Sequence, residues 1–169
     1  SGCAGLYCAL NLPKEKQIMV ITKSAAEESD SFLAQGGMCM LKDESDYEAF
    51  FEDTLKAGHY ENDKTSVDIM IRSSQDVMKD LLLYGADFQK DQSGKLLFTK
   101  EGAHSAKRIV YHEDETGKEI TSTLLRTAKK QKNINILEYT TMIDLIVKDN
   151  HCYGAVIQKE NGSIKTVLS

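Results

Sequence analysis

Apolar residues recur at three- and four-residue spacing in four segments of the chain, and this pattern predicts four α-helices. Pro13 and Lys14 end the first segment, and Gly58 and Gly85 end the second and third. We expect Ser45 to Glu48 to form the capping box of the second helix. The predicted helices cover residues 1–12, 47–58 and 117–132, and one more begins between residues 63 and 66 and ends at Gly85.

Short apolar runs rich in β-branched residues predict the strands. The run 17–22 follows the first helix and predicts a buried strand of a parallel sheet, and 134–137 predicts another strand. Late in the chain, turns at Asp149-Asn150 and Asn161-Gly162 separate three further runs. We therefore expect a three-stranded antiparallel meander over 142–148, 152–159 and 163–168. A hairpin is expected from Phe88 to Phe98.

The opening residues Ser1-Gly2-Cys3-Ala4-Gly5 match the end of a G-x-G-x-x-G turn that lacks its first glycine. In such a turn Gly2 would let the backbone approach a pyrophosphate, and Gly5 would let the helix pack closely on the sheet. Helix–strand packing alone explains the two glycines equally well. The acidic residue that binds a ribose in NAD enzymes is replaced by Thr22-Lys23, which disfavours a plain NAD dehydrogenase.

Two further segments are candidates for binding. Paired glycines in Gln35-Gly36-Gly37 suggest a backbone that approaches a flat or bulky group, although a flexible connector has the same composition. Residues 99–117 mix polar side chains with glycine and contain Glu101 and His104, as a substrate loop requires. The alternatives are a solvated carboxylate at 101 and a histidine at 104 that only packs the loop.

Composition narrows the function classes. The 169 residues carry a net charge of −5, which gives no basic surplus for nucleic acid. No apolar run approaches the roughly 20 residues of a membrane span, and no leader is evident, so we expect a cytoplasmic protein. The four cysteines lack metal-ligand spacing and predict reduced thiols and no metal site, with Cys39 a packing residue.

Once these segments are combined, the layout resembles the Rossmann-like FAD-binding domains of glutathione-reductase type. Residues 29–37 resemble the flavin loop of the group containing succinate dehydrogenase, fumarate reductase and L-aspartate oxidase. Residues 99–109 and 114–117 are most similar to the L-aspartate oxidase family. The resemblance covers essentially the whole chain. It implies an α/β domain truncated at both ends: residues 1–169 as a partial FAD-binding domain without its first strand, first glycine and capping domain.

The resemblance also implies where FAD would bind. Residues 1–4 would line the pyrophosphate, Lys23 the adenosine ribose, residues 30–37 the ribityl chain and ring edge, and residues 141–142 the adenine. Asp30 stands where the succinate and fumarate enzymes carry the histidine that binds FAD covalently, so non-covalent FAD is implied. The full set is Ser1, Gly2, Cys3, Ala4, Gly5, Lys23, Asp30, Ser31, Phe32, Leu33, Ala34, Gln35, Gly36, Gly37, Thr141 and Met142.

The implied reaction is oxidation of L-aspartate to iminoaspartate with O₂ or fumarate as acceptor, the first step toward quinolinate and NAD, with a functional link to quinolinate synthase. Glu101 would position the substrate ammonium, supported by His104 and Ser105. Ala103 stands where the family has a second glycine. If this position requires a positive φ, the alanine would be strained there.

The segment alone is expected to neither hold FAD tightly nor turn over aspartate. The alternatives are a fumarate reductase- or succinate dehydrogenase-like flavoprotein acting on a dicarboxylate, and a Rossmann-like module that has lost its flavin.

Overall fold

A computed structural model describes all 169 residues, which form two compact units: residues 1–32 with 124–169, and residues 33–123. No helix is both long and apolar enough to cross a membrane. The helices are α1 (Cys3–Asn11), α2 (Asp30–Leu33), α3 (Tyr47–Ala57), α4 (Lys64–Leu83) and α5 (Thr116–Lys129). The strands are β1 (Ile18–Ile21), β2 (Met38–Cys39), β3 (Ile109–Val110), β4 (Ile134–Leu137), β5 (Thr140–Lys148), β6 (His151–Lys159) and β7 (Ile164–Leu168).

In the first unit, β1 pairs with β4 in parallel, as the apolar runs predicted, with Ile18 opposite Ile134. The expectation that the strand is buried holds for Val20 but is wrong for Met19, which is 44% exposed. The sheet has only these two strands. Met19 lies on a face that lines an apolar cavity of about 580 Å³ within the same unit.

The predicted meander is confirmed, because β5, β6 and β7 form a three-stranded antiparallel sheet in that order. Asp149 and Asn150 both have positive φ angles, as a tight two-residue hairpin turn requires, and Gly162 has φ +79° in the second turn. These local turn signals therefore place the hairpins correctly. The first strand begins at Thr140, two residues earlier than predicted.

The second unit is built around the packing of α3 on α4. Phe50 and Leu55 of α3 are buried with Val67 and Ile71 of α4, as their helical spacing predicted, and Leu41 completes this core. The buried stripe of α4 is narrower than predicted. Met70 is 49% exposed and Leu82 is also exposed, whereas Ser74 is buried because its hydroxyl accepts a hydrogen bond from the Leu41 amide.

The predicted capping box at residues 45–48 is wrong. A 3-10 turn over Glu44–Asp46 precedes α3, and the Asp43 carboxylate accepts the hydrogen bond of the Ser45 amide at its start. Asp46 then stands at the N-cap of α3 without capping it. Its carboxylate binds Arg108 instead, and this tertiary pair replaces the local one.

A short antiparallel pair of β2 with β3 places a strand inside the segment predicted to be a loop. The predicted hairpin over 88–98 is reduced to a single bridge between Lys90 and Leu96, with Gly94 at φ +81° in its turn. Gly37 precedes β2, and a Cβ at this position would overlap the side chain of Ile109 and the carbonyl of Val110. The close approach at Gly37 is thus to the chain's own strand.

We expect Gly37→Ala to lower the free energy of unfolding by roughly 1–3 kcal/mol, because the methyl group must displace the backbone of β3. Urea unfolding followed by circular dichroism measures the change. The matched control is Gly36→Ala, since a Cβ there comes no closer than 3.9 Å to any atom of another residue beyond its neighbours. Equal stabilities of the two variants would contradict the steric explanation.

Candidate functional site

The start of α1 has the features of an anion site. Gly2 is the N-cap in an extended conformation and has no side chain to cap the helix. The Cys3 amide donates to Ser31 Oγ at 3.1 Å, and a Cβ at Gly2 would lie 3.1 Å from the same oxygen. Free amides and the helix dipole favour a negative group at such a terminus. The structure thus brings Ser31 to the turn where pyrophosphate binding was predicted.

The predicted role of Gly5 in close helix–sheet packing is wrong. A Cβ at Gly5 would meet no atom within 4 Å, so the packing of this chain does not require glycine there. Ser1 Oγ instead contacts the end of β1, donating a hydrogen bond to Thr22 Oγ1 at 3.1 Å. The link between α1 and the strand is therefore polar at this end.

Lys23 and Thr141, predicted to contact the adenosine part of the cofactor, line one cavity of about 260 Å³ in the first unit. Tyr139 and Glu160 are among its other lining residues. Met142 does not line this cavity; it is half-exposed and pairs with Ile157 in the sheet. Of the two predicted adenine contacts, only Thr141 is grouped with Lys23.

The predicted flavin loop contains a feature that the sequence did not indicate, the single helical turn α2 over Asp30–Leu33. Phe32 is half-buried, and its amide donates to the Ser29 carbonyl at 2.9 Å. In the second unit, the amide of Gly117 donates to the carbonyl of Ala34 at 2.9 Å and anchors the following segment, Leu33–Gly37. Leu33, Ala34, Gln35 and Gly36 are exposed.

Glu101 lies beside this loop, because a Cβ built at Gly36 would be 3.9 Å from Glu101 Oε2. The two predicted segments, one for cofactor and one for substrate, are therefore adjacent within the second unit. Gly102 adopts φ +52°, which only glycine tolerates easily, whereas Ala103 is not at positive φ. The condition for strain at Ala103, a positive φ, is therefore not met, and within this loop Gly102 takes the left-handed conformation.

Arg108 anchors the loop that carries Glu101, and its side chain is completely buried. Two guanidinium nitrogens donate to Asp46, at 3.0 and 2.8 Å, in a bidentate pair. A third donates to Asp53 Oδ2 at 2.6 Å. The guanidinium also lies over the ring of Phe50, 4.9 Å from its centroid. The hydrogen bonds that Arg108 donates to Asp46 raise the pKa of the guanidinium, so the group is a permanent buried cation.

Asp53 joins Arg108 to the loop. Its Oδ2 accepts hydrogen bonds from both the amide and the hydroxyl of Ser105, at 2.6 and 2.7 Å. Burial opposes ionisation of this carboxyl, but the Ser105 and Arg108 hydrogen bonds outweigh it and lower its pKa to about 2. The hydroxyl of Ser105, predicted to support catalysis, is thus already committed to Asp53.

His104 is held between Arg108 and Cys39. Arg108 Nη1 lies 3.2 Å from His104 Nδ1, and because a guanidinium only donates, Nδ1 is the acceptor. This assigns the ring proton to Nε2, which lies 3.2 Å from Cys39 Sγ. Burial raises the pKa of the Cys39 thiol, and Glu101 acts in the same direction. The prediction that Cys39 only packs is wrong, since its sulfur is a polar partner of His104.

The sequence offered no signal for Arg108, Asp46 and Asp53 as a group. The two aspartates lie 62 and 55 positions before the arginine, in and before a helix whose periodic pattern concerned only apolar residues. The one local signal that could have been used is the apolar pair Ile109-Val110 directly after Arg108, since both side chains are buried in β3.

Comparison with known proteins identifies the family of this chain. A family model described as an FAD binding domain matches residues 1–169. The chain belongs to the FAD-binding domain family. L-aspartate oxidases of Clostridium perfringens and Clostridium acetobutylicum are 45% and 44% identical to this domain, each over 95% of it, and it covers 36% and 37% of their lengths. The chain thus spans about a third of these relatives.

Solved structures agree on the fold of this FAD-binding domain. A variant of quinol fumarate reductase from E. coli superposes with a TM-score of 0.92 at 24% identity, over 99% of this chain and 29% of that one. Sdh1 of Mycobacterium smegmatis, solved in complex with UQ1, superposes with a TM-score of 0.79 at 23% identity, over 93% of this chain and 28% of that one. At this level of identity the similarity establishes the fold alone.

The residues present fit FAD. The N-terminus of α1, where Gly2 has no side chain, suits a pyrophosphate, the cavity at Lys23 and Thr141 is polar, and Gly36 leaves open space beside Glu101 that a side chain would fill. All three features coincide with segments predicted to contact the cofactor. The assignment of individual FAD contacts stays a prediction.

We expect the Asp53 ion pair to make stability depend on acidity. The pKa of Asp53 is about 2 when folded and near 3.8 when unfolded, so its contribution is present above pH 4 and is lost as the pH falls toward 2. The side chain is only 15% exposed, so the pKa shift corresponds to a contribution to the free energy of unfolding on the order of 2 kcal/mol. Urea unfolding at several pH values should show the unfolding free energies of the wild type and Asp53→Asn converging by that amount as the pH falls toward 2.

The control for this measurement is Asp76→Asn, which removes an exposed carboxylate paired with Lys79. Its unfolding free energy should run parallel to that of the wild type over the same pH range, because exposed pairs contribute little. A constant gap between wild type and Asp53→Asn down to pH 2 would contradict the assignment.

Proposed function

We propose that the complete protein containing this chain is an FAD-dependent enzyme that oxidises L-aspartate to iminoaspartate. The observation that carries the proposal is the position of Glu101 beside Gly36, in a chain 45% identical to a named L-aspartate oxidase. Because the chain spans about a third of that relative, we propose that residues 1–169 are a partial FAD-binding domain and that activity requires the remainder.

Glu101 supplies the chemical reason for an amine substrate. Its exposed carboxylate lies on a loop that Arg108 and Asp53 hold in place through Ser105. An ammonium group is the natural partner of such an anion, and a charge-assisted hydrogen bond fixes the substrate's orientation. L-aspartate carries an ammonium group and succinate does not, so the carboxylate favours the amino acid over the simple dicarboxylate.

The same proposal assigns the cofactor contacts. In the first unit, the turn at residues 1–5 and Ser31 would bind the pyrophosphate, and Lys23 with residues 141–142 the adenosine. In the second unit, the loop ending at Gly37 would adjoin the flavin ring. Bound FAD supplies the redox chemistry by accepting the two electrons removed from the substrate. Asp30 in place of a histidine supports non-covalent binding.

Several finer expectations belong to this proposal. The parallel β1–β4 pair with the antiparallel β5–β7 sheet supports a Rossmann-like domain of glutathione-reductase type. We place the enzyme in the cytoplasm, with O₂ or fumarate as electron acceptor and with quinolinate synthase as the consumer of iminoaspartate. The alternative, an enzyme of the fumarate reductase and succinate dehydrogenase type, draws on a fold similarity and gives Glu101 no role.

We expect Glu101→Gln in the complete enzyme to lower kcat/KM for L-aspartate by about 10- to 150-fold, the effect of losing one charged hydrogen bond. Peroxide production or fumarate consumption measures the rate, and flavin absorbance measures FAD content, which should not change. Activity toward succinate, where present, should be unaffected because that substrate offers no ammonium.

The matched control is Glu61→Gln, which neutralises an exposed carboxylate between α3 and α4. It should leave kcat/KM for aspartate at the wild-type value. An enzyme that oxidises succinate but not aspartate, or one in which Glu101→Gln is silent, would overturn the proposed substrate.

A further inference from the structure

Arg108 has no donor to offer a substrate, because its guanidinium hydrogen bonds go to other residues of the chain. Its side chain is fully buried and its donors are taken by Asp46, Asp53 and His104. A fourth contact reaches Ser105 Oγ at 3.4 Å. Two of these four partners, His104 and Ser105, belong to the loop that carries Glu101.

The contacts act on the loop at both its side chains and its backbone. The amide of Ser105 is held by Asp53, and the amide of His104 donates to the carbonyl of Glu101 at 3.2 Å. Turning the His104 ring over would place Cδ2–H against the guanidinium and Cε1–H against Cys39, so both of its hydrogen bonds would be lost. The loop from 101 to 105 therefore has one favoured arrangement while Arg108 is in place.

We propose that Arg108 is a positioning residue for the amine-oxidising site: together with Asp53 it fixes the tautomer of His104 and the placement of Glu101. This inference rests on the proposed function, since Glu101 must have a substrate to orient. Arg108 touches neither substrate nor cofactor in this role. It acts through the loop, so its effect on catalysis depends on the presence of the Glu101 carboxylate.

The test is a double-mutant cycle on kcat/KM for L-aspartate in the complete enzyme, with Arg108→Lys, Glu101→Gln and the double variant. Lysine keeps the charge but cannot serve Asp46, Asp53 and His104 together. We expect Arg108→Lys to lower kcat/KM about tenfold in the wild-type background and less than about threefold in the Glu101→Gln background. A purely structural role would give the same factor in both backgrounds.

Arg72 provides the matched control, because it also pairs with two carboxylates, Glu44 and Asp68, and lies 4.1 Å from the centroid of the Tyr47 ring, but it is half-exposed. Arg72→Lys should leave kcat/KM unchanged. If Arg108→Lys fails to retain flavin, the same cycle is run with Ser105→Ala, which removes the hydroxyl linking the loop to Asp53 and keeps the backbone bond.

The outcomes separate the two proposals. Non-additive losses with unchanged flavin content support the positioning role. Additive losses, or a wild-type kcat/KM for the arginine or serine variant, overturn it while leaving the aspartate oxidase proposal intact. A silent Glu101→Gln overturns the proposed function itself, and the positioning role falls with it.

Discussion

The burial of one guanidinium group organises the second unit. An isolated cation could not be buried at Arg108, and the site exists only because Asp46 and Asp53 supply compensating charge on one side of α3. Removing one partner of such a pair costs about 3–5 kcal/mol, since the remaining charge stays buried. The arrangement of the Glu101 loop therefore depends on this ion pair, which the loop contacts through His104 and Ser105.

The glycines of the predicted cofactor segments turn out to have different physical reasons. Gly37 is required because β3 crosses directly over it, and no ligand need be invoked. Gly36, its neighbour, has open space facing Glu101, so its lack of a side chain leaves room for something outside the chain. Gly2 leaves room for Ser31. Adjacent glycines thus differ in what surrounds them: Gly37 is enclosed by the fold, and Gly36 faces open space.

The chain separates the tasks expected of an FAD-binding domain. In the first unit, α1 and the cavity at Lys23 and Thr141 present amides, a cation and hydroxyls, which suit a phosphate-containing dinucleotide. In the second unit, the loop beside Gly36 carries the Glu101 carboxylate and the fixed His104 imidazole, which suit a small charged substrate. In the proposed enzyme these groups would supply binding and orientation, and bound FAD would supply the redox chemistry.

By itself, the sequence determined most of the local elements: four of the five α-helices, the parallel strands and the β5–β7 sheet follow from apolar periodicity and turn residues, which act within a few positions. It also carried the family, through motifs that are contiguous in the chain. Only the tertiary structure decided that Asp46 binds Arg108 instead of capping α3, that Ile109 and Val110 form a strand, and that Cys39 meets His104. Those outcomes depend on side chains about 60 positions apart competing with local partners, and no local pattern encodes which partner wins.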